Sequence, residues 1–464
     1  MHARVTPFIM LALLSGCAVR GAPELDRSII PIAPDGWSAR PDLEPITASN
    51  AQPARESMGW IDSFKDEELD SAVREAFANN RNLQSVLAQL QASRAAMRVA
   101  RADLFPSVDL SGRATDTENT ETIFDGTLEA SWEVDIWGRN LALARAGNAD
   151  RRAAAAEFAA ARQALAAAVA QAWFDRSAAR ISMDLATSDL ERRKDTLRIT
   201  DARFRAGLAS RLDVRLAQVA VSNSEDRLET ALRTAKNAAR ALEILIGRYP
   251  SGEAAGAREL NMAQPLPNVT APVSVLAGRP DLIAAEARVD AAGLRAKDAR
   301  HAMFPQLSLS FEATTRSGNF GDLFDPSTYI NALSAGLLQP LFRGGALLAE
   351  ADRQGALAKS TLFDYAQATL TAFQEVEDRL DAEAIVARQV ASAATAAEEA
   401  RAAVNLTRSR YINGRSTIFD LIEAQTTAIA SETRAIETRR AQIENRINLH
   451  LALGDEPLPN IRGL

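Results

Sequence analysis

The sequence predicts a mainly α-helical chain that also supplies four membrane β-strands, and three observations lead to this fold class. Two segments, 139–204 and 345–411, contain no proline and are rich in alanine. Four short segments alternate apolar with polar residues, and the whole order of helices and strands occurs twice along the chain. We therefore expect long antiparallel coiled-coil helices and a smaller β part whose strands join those of other copies.

The two proline-free segments predict helices on the order of 100 Å long, at ~1.5 Å per residue. A returning helix of roughly 40 residues is expected after each of them. A further helix of roughly 30 to 40 residues is expected before each strand pair, ending at Phe-Pro (105–106 and 304–305), because proline cannot continue a helix. Helices of this length exceed the depth of a globular core and favour extended coiled-coil packing.

An internal duplication of the chain sets its expected domain boundaries. Residues 79–111 align without a gap on residues 278–310, and RFRAGLASRLDVRLAQ (203–218) aligns on RYINGRSTIFDLIEAQ (410–425). A proline-rich stretch separates the two copies. The expected segments are a signal peptide (1–16), an N-terminal arm (17–60), a first repeat (61–250), a linker (251–275), a second repeat (276–455) and a tail (456–464).

The N-terminus predicts export and lipid attachment. A basic residue, Arg4, and the apolar run FIMLALL (8–14) precede LSGC (14–17), which is typical of a bacterial lipoprotein signal peptide. Cys17 would be acylated, for example with palmitate, and become the first residue of the mature chain. Ala18 is compatible with sorting to the outer membrane. Since cysteine occurs nowhere else in the chain, no disulfide is expected.

Alternation predicts four strands, at 107–115, 127–136, 306–314 and 328–342, of which the last is the least regular. A soluble sheet with one wet face would give the same pattern. The sorting signal, the lack of a long apolar helix, and Trp132 and Trp137 near a strand end favour the wall of a membrane barrel.

Four strands are too few to close a barrel, whose smallest members have about eight. Three chains would contribute 12 strands, and this number would leave a water-filled lumen. Four acidic side chains on the strands are acceptable only if they face that water: Glu129, Glu133, Asp135 and Glu312.

Several motifs together resemble the TolC-type outer-membrane efflux proteins. They are the duplication, Phe-Pro before paired strands, WEVDIWG (132–138), LQPLFRGG (338–345) and the repeated phrase at 203–218 and 410–425. With the lipoprotein signal, the chain is similar to the NodT-like outer-membrane factors of resistance-nodulation-division pumps. The resemblance implies a homotrimer in which a 12-stranded outer-membrane β-barrel continues into a periplasmic α-barrel. It also implies a passive exit duct that docks through a periplasmic adaptor (membrane fusion) protein onto an inner-membrane transporter.

The repeated phrase predicts a helix-turn-helix. Gly207 and Gly414 can adopt the left-handed conformation that ends a helix. Ser210 and Thr417 then cap the next helix, with Asp213 and Asp420 three residues later as in a capping box. We expect four residues at the two turns to be exposed and to contact the adaptor: Leu208, Ser210, Arg415 and Ser416.

Glu423 is not explained by capping, and Leu216 stands at its place in the first copy. Asp420 and Glu423 share a helix face because they are three residues apart. The resemblance makes Glu423 the first candidate for an acidic periplasmic gate, followed by Asp420, for which local capping is the alternative. Tyr411 matches a tyrosine that helps to latch the closed state in the best-known member of that family. Ser416 stands where that member has an arginine, so its salt-bridge latch cannot be carried over to this chain.

Composition argues against other classes of function. The net charge of -7 gives no reason to expect nucleic-acid binding, and three scattered histidines predict neither a metal site nor a catalytic set. His301 is expected at a helix end. No cofactor and no enzymatic activity are expected. Two other functions fit parts of the sequence: the exit duct of a type I protein secretion system, and a periplasmic coiled-coil adaptor or scaffold lipoprotein.

Overall fold

The computed structural model of the chain describes residues 25–40, 59–118, 121–260, 269 and 271–457. The chain divides into two compact units, and each unit draws on both repeats. Of the described residues, those within Gln89–Ala155 and Ala284–Ala368 and those up to Pro31 form the sheet unit. Those within Ile32–Ala88 and Ala156–Ile283 and those from Thr369 onward form the helical unit. The signal peptide and the proposed lipid-attachment residue Cys17 lie outside the described residues.

Eight α-helices lie within the described residues. They are α1 (Glu67–Asn79), α2 (Arg81–Ala102), α3 (Arg139–Arg205), α4 (Arg211–Leu245), α5 (Pro272–Gly278), α6 (Pro280–His301), α7 (Ala346–Ile412) and α8 (Ile418–Leu453). The long helices α3 and α7 have 67 residues each and follow the prediction to within one residue, as proline-free alanine-rich segments should. In the ranges that the structure describes, no helix has the combined length and hydrophobicity that a bilayer-spanning helix needs.

The prediction of a single helix before each Phe-Pro is wrong in detail. Two helices stand there, separated by one residue of extended backbone, Asn80 in the first repeat and Arg279 in the second. The Leu83 N–H donates to Asn80 Oδ1 at 3.0 Å, which caps the start of α2. At the second break Pro280 takes the first position of α6, where its missing N–H costs no hydrogen bond. His301 is the last residue of α6, as expected.

The four strands form one antiparallel sheet in sequence order. They are β1 (Ser107–Thr115), β2 (Ile123–Val134), β3 (Gln306–Ser317) and β4 (Ile330–Leu338). The predicted bounds of β1 are confirmed, whereas β2 starts four residues earlier than predicted and ends before Asp135. Asp135 is therefore not a strand residue: its carboxylate accepts the N–H groups of Asn140 and Leu141 at 3.2 and 2.8 Å and caps the start of α3.

The register gives the sheet one polar and one apolar face. Residues paired across strands lie on the same face, and the face alternates along each strand. The polar face carries mainly serine, threonine and charged side chains, with large apolar side chains only at strand ends, and one of its rows joins Asp109, Glu129 and Glu312. The adjacent row on the apolar face joins Val108, Ala130, Phe311 and Leu333.

Tryptophans connect the sheet to the two Phe-Pro segments within the sheet unit. Trp132 Nε1 donates to the Leu104 carbonyl at 3.2 Å, and Trp137 Nε1 donates to the Pro305 carbonyl at 2.7 Å. The Trp137 ring also packs on Phe304, with the ring centroids 5.1 Å apart. Both indoles are partly exposed, so each presents an apolar ring outward while its polar N–H is satisfied.

The core of the helical unit lies where α1 and the middle of α3 meet α4 and α8. Its fully buried side chains include Leu69, Val73, Leu242 and Ile447, packed around Trp173. The Trp173 indole N–H donates to Asp66 at 2.9 Å, so the one polar atom of this large ring is satisfied. This core fixes the helices from which the two helix-turn-helix tips extend.

Candidate functional site

The repeated phrase forms two helix-turn-helix tips, both in the helical unit. The first tip (203–218) joins α3 to α4, and the second tip (410–425) joins α7 to α8. Gly207 and Gly414 have φ of 75° and 70°, the left-handed conformation that other residues avoid. The Leu208 N–H donates to the Arg203 carbonyl, and the Arg415 N–H to the Arg410 carbonyl, each at 2.8 Å, which is the Schellman pattern of a helix end.

A capping box starts the returning helix at both tips. The Ser210 N–H donates to Asp213 at 2.7 Å, and the Asp213 N–H donates back to the Ser210 hydroxyl at 3.2 Å. Thr417 and Asp420 make the same pair of bonds at 2.8 and 3.3 Å. Both aspartates therefore cap their helices, as the sequence pattern predicts.

Tyr411 is the buried centre of the second tip. Its hydroxyl lies 3.0 Å from the Thr200 hydroxyl of α3, and its ring lies under the Arg203 guanidinium, 4.9 Å from the centroid. The same guanidinium donates to the carbonyls of Tyr411 and Ile412 at 2.8 and 3.0 Å. The end of α7 is thus held by the end of α3 through polar and cation–π contacts.

Apolar packing and a buried amide extend this contact toward α4 and α8. Tyr411 packs with Ile418 and Leu421, and Leu216 of the first tip is partly buried against the same cluster. Gln425 is buried and donates from Nε2 to the Thr196 hydroxyl at 3.0 Å. The glutamine therefore ties the second tip to α3 a turn beyond Thr200.

The two acidic gate candidates differ in their surroundings. The Asp420 carboxylate accepts hydrogen bonds from the Thr417 N–H, the Thr417 hydroxyl and the Ser416 hydroxyl. These bonds, the backbone bond first, hold the pKa of Asp420 below its ordinary value. Glu423 is exposed, and within the described residues its carboxylate has no hydrogen-bond or ion-pair partner. It lines an open groove with Ala400 and Phe419.

The four residues predicted to contact an adaptor are not equally available. Leu208 is 67% exposed, and Arg415 is also exposed. Ser210 is exposed, although its hydroxyl is used in the capping box. Ser416 is only partly exposed and donates to Asp420 at 3.0 Å, so the expectation of a freely exposed Ser416 is wrong. Its side chain is short enough to fold back onto the cap.

The sequence matches the family described as outer membrane efflux protein over residues 72–248 and 271–455, well over half of the chain. The chain belongs to this family. It is similar to the pyoverdine export outer membrane protein OpmQ of Pseudomonas aeruginosa, with 29% identity over 461 residues and 96% of each chain covered. The toluene efflux pump outer membrane protein TtgF of Pseudomonas putida is 27% identical over 466 residues, with 97% of this chain and 96% of TtgF covered.

A solved structure of an outer membrane channel has the same fold as this chain. The Campylobacter jejuni CmeC outer membrane channel superposes with a TM-score of 0.81 at 19% identity, covering 93% of this chain and 95% of CmeC. Each of the two segments matched by the family contains one of the tips. The TolC-type resemblance read from the repeated phrases, the Phe-Pro segments and the tryptophan motif is therefore confirmed.

A buried charge cluster that was not predicted from the sequence lies further along α3 from the tips of this outer membrane efflux protein. Asp189 is 1% exposed and accepts from Arg193 at 3.0 Å, Arg227 at 3.0 Å and Ser224 at 2.7 Å. Burial raises the pKa of Asp189, but the Ser224 bond and the two arginines outweigh it and leave the pKa below its ordinary value. The four-residue spacing of Asp189 and Arg193 was a signal for this pair.

A second buried carboxylate joins three helices of the same unit. Glu432 of α8 is 5% exposed and forms ion pairs with Arg401 of α7 and, at 3.8 Å, with Arg192 of α3. Both arginines are largely exposed, so only the carboxylate is buried, and removing Arg401 would leave it with the more distant Arg192 as its ion-pair partner. Among the described residues no group of three or more His, Cys, Asp or Glu side chains is arranged to hold a metal ion.

Proposed function

We propose that this outer membrane efflux protein is the exit duct of a tripartite efflux system, a passive homotrimeric channel without a catalytic step. Its membership of the family and its likeness to OpmQ and TtgF over nearly the whole chain support an outer-membrane efflux role. In this proposal Cys17 anchors the chain in the outer membrane of a Gram-negative bacterium. A periplasmic adaptor and an inner-membrane transporter of the resistance-nodulation-division type complete the pump.

The observation that carries the proposal is the two-faced sheet. Its apolar face is exposed, with Leu110 at 77% and Leu333 at 82% exposure, which would be unfavourable in water and is suited to lipid. Its polar face sets Asp109, Glu129 and Glu312 side by side, an arrangement that needs water to screen the repulsion. A wall between lipid and a wet lumen provides both environments.

The edges of the sheet support a shared barrel. Within the described residues β1 and β4 each pair with a single neighbour and leave one edge open. An open edge with exposed apolar side chains such as Leu333 invites pairing with another strand. Three copies joined β4 to β1 would close a barrel of about 12 strands, above the eight-strand minimum.

Glu423 is the first gate residue in this proposal. In a trimer its exposed, unpartnered carboxylate would repeat three times around the axis, and that ring would hold cations and repel anions. Asp420 is the second candidate, although its bonds to Thr417 and Ser416 commit it to the cap. Tyr411 would act as a latch, since it joins the ends of α7 and α3 through Thr200 and Arg203.

The adaptor is proposed to dock at the two tips. Leu208 and Arg415 offer one exposed apolar and one exposed cationic side chain, and Ser210 and Ser416 flank them. Cysteine crosslinking from Leu208 and Arg415 in cells should capture a periplasmic protein, and crosslinking from Tyr249, an exposed residue away from the tips, should not. Equal capture from all three positions would contradict docking at the tips.

Electrical recording of the purified trimer in planar bilayers tests the duct and its gate. We expect Glu423→Ala to raise conductance and reduce cation selectivity. Glu437→Ala removes another exposed carboxylate of α8 and should leave both unchanged. Asp213→Ala breaks the capping box of the first tip and serves as the control for Asp420→Ala, which breaks the same box beside Glu423.

Two outcomes would contradict the proposal at different levels. Unchanged conductance and selectivity in both Glu423→Ala and Asp420→Ala would exclude the acidic gate but leave the duct. A Cys17→Ser protein that stays soluble without detergent and forms no ion-conducting trimer would exclude the duct and favour a periplasmic scaffold.

A further inference from the structure

The loop between β3 and β4 has a defined structure of its own. It contains two short 3-10 helices, Phe320–Phe324 and Pro326–Thr328. The Tyr329 hydroxyl donates to the Leu323 carbonyl at 2.8 Å, and the Thr315 hydroxyl of β3 donates to the Thr328 hydroxyl at 2.9 Å. These bonds fix the loop against the end of the sheet.

The loop packs on the apolar face of the sheet. Gly126 of β2 lies on this face, two residues from Leu128 and from Phe124. A Cβ at Gly126 would stand 3.0 Å from Leu323 Cδ2 and 3.1 Å from the Tyr329 hydroxyl oxygen, so the loop covers this glycine closely. The loop therefore adds to the face that the proposed function assigns to lipid.

Three phenylalanines run from the strand into the loop. Phe124 and Phe320 meet edge to face with centroids 5.5 Å apart, and Phe320 meets Phe324 in the same way at 5.5 Å. Phe320 is 58% exposed and Phe324 is 75% exposed. Two large apolar rings are thus held outward on a structured loop, although burial would stabilise each of them.

The distance to the tryptophans indicates what covers these rings. Phe124 and Trp132 lie on the same face of β2, and the eight residue steps between them span about 26 Å along the strand, which is a height of about 20 Å at the usual barrel strand tilt of about 40°. Membrane barrels have an apolar band about 25 Å tall with an aromatic girdle at each interface. Trp132 and Trp137 supply aromatic rings at one end of this sheet, and the phenylalanines supply them at the other.

We propose that loop 318–329 is the second aromatic girdle of the channel, and that Phe320 and Phe324 insert into the outer-leaflet interface of the membrane. The inference rests on the proposed function, because it needs the apolar face of the sheet to contact lipid. It adds a lipid-binding role for a loop that the strand pattern alone would treat as a plain connection.

Spin labelling of the full-length protein in phosphatidylcholine vesicles tests the inference. Gly321 lies between the two rings, and a Cβ there meets no atom within 4 Å, so Gly321→Cys accepts a nitroxide without disturbing the loop. Leu333→Cys and Ser334→Cys report the apolar and polar faces of β4, and the protein without an added cysteine gives the background. Accessibility to oxygen, which concentrates in lipid, is compared with accessibility to a water-soluble nickel complex.

We expect the ratio of oxygen to nickel accessibility at position 321 to lie between those at 333 and 334. Phe324→Ser should lower the ratio at 321 to the value of the polar face, and Phe324→Leu should preserve it because leucine also partitions into lipid. The label at 333 should not change in either variant.

The possible failures are distinguishable. If 333 contacts lipid but 321 is as open to nickel as 334, the loop stands in water and the inference is wrong while the proposed function remains. If 321 is closed to both reagents, the loop packs on protein, for example a second copy, and the inference is also wrong. If 333 itself is open to nickel, the proposed membrane sheet fails and the inference with it.

Discussion

The two helix-turn-helix tips share a backbone and differ in how their side chains are used. Both have a left-handed glycine, a Schellman bond of 2.8 Å and a capping box. Gln425 of the second tip is buried, whereas the matching Gln218 of the first tip is exposed. A duplicated phrase therefore preserves what builds the turn, while each copy adapts the surface that the turn presents.

The difference between the two glutamines arises from the helix that each tip faces. The second tip is held by Arg203, Thr200 and Thr196 of α3. In the second repeat Ala403 takes the place of Thr196 and offers no hydroxyl to a glutamine. The repeats are thus not interchangeable, and the polar contacts run from the first repeat to the second tip.

Exchanging the residues that differ most should give the largest effect. Leu216→Glu would put a carboxylate against the cluster of Tyr411, Ile418 and Leu421, and we expect a loss of about 2–3 kcal/mol in the free energy of unfolding. Glu423→Leu changes an exposed position and should alter stability by no more than about 0.5 kcal/mol. Thermal unfolding of the two variants in detergent measures this, and equal losses would contradict the asymmetry.

The matched glutamines give a smaller contrast. Gln425→Ala removes the bond to Thr196 and a buried side chain, and should cost about 1–2 kcal/mol of unfolding free energy. Gln218→Ala should cost less than about 0.5 kcal/mol because its side chain is exposed. The same unfolding experiment decides between them. A loss at Gln218 as large as that at Gln425 would contradict this contrast. It would mean that the Gln218 side chain, exposed in the single chain, is buried in the assembled protein.

The helices could be predicted from sequence because their signals are local. The absence of proline predicted the lengths of α3 and α7, and Gly207 and Gly414 predicted where these helices end. The break at Asn80 was missed because its cause is partly distant: its amide donates to the Leu245 carbonyl of α4 at 2.9 Å. Strand β2 began earlier than predicted because Asp125 and Gly126 look like a turn, yet Asp125 pairs between Arg113 and Arg316 in the sheet.

The tips could be predicted only as far as their own residues reach. The capping boxes follow from Ser210, Thr417 and the aspartates three residues later. The partners of Tyr411 could not be predicted, because Thr200 and Arg203 lie more than 200 residues earlier in the chain and no local pattern links them. The burial of Leu216 likewise depends on the packing of two repeats.

Acidification should reveal the smallest difference between the tips. Because the pKa of Asp420 is held below 3.8, its ionised cap stabilises the fold above that pH, and the stabilisation is lost as the pH falls through the lowered pKa. Asp420→Asn should therefore lower the unfolding temperature at neutral pH, and the gap to the wild type should close in acid.

Ser416→Ala sharpens this test, since alanine is the residue of the first tip at the matching position, Ala209. It removes one hydrogen bond to the Asp420 carboxylate and leaves the capping box in place. We expect the gap to Asp420→Asn to close at a higher pH in this background, because a carboxylate with fewer donors is protonated more easily. A gap that does not change with pH would show that the cap acts through its geometry alone and not through its charge.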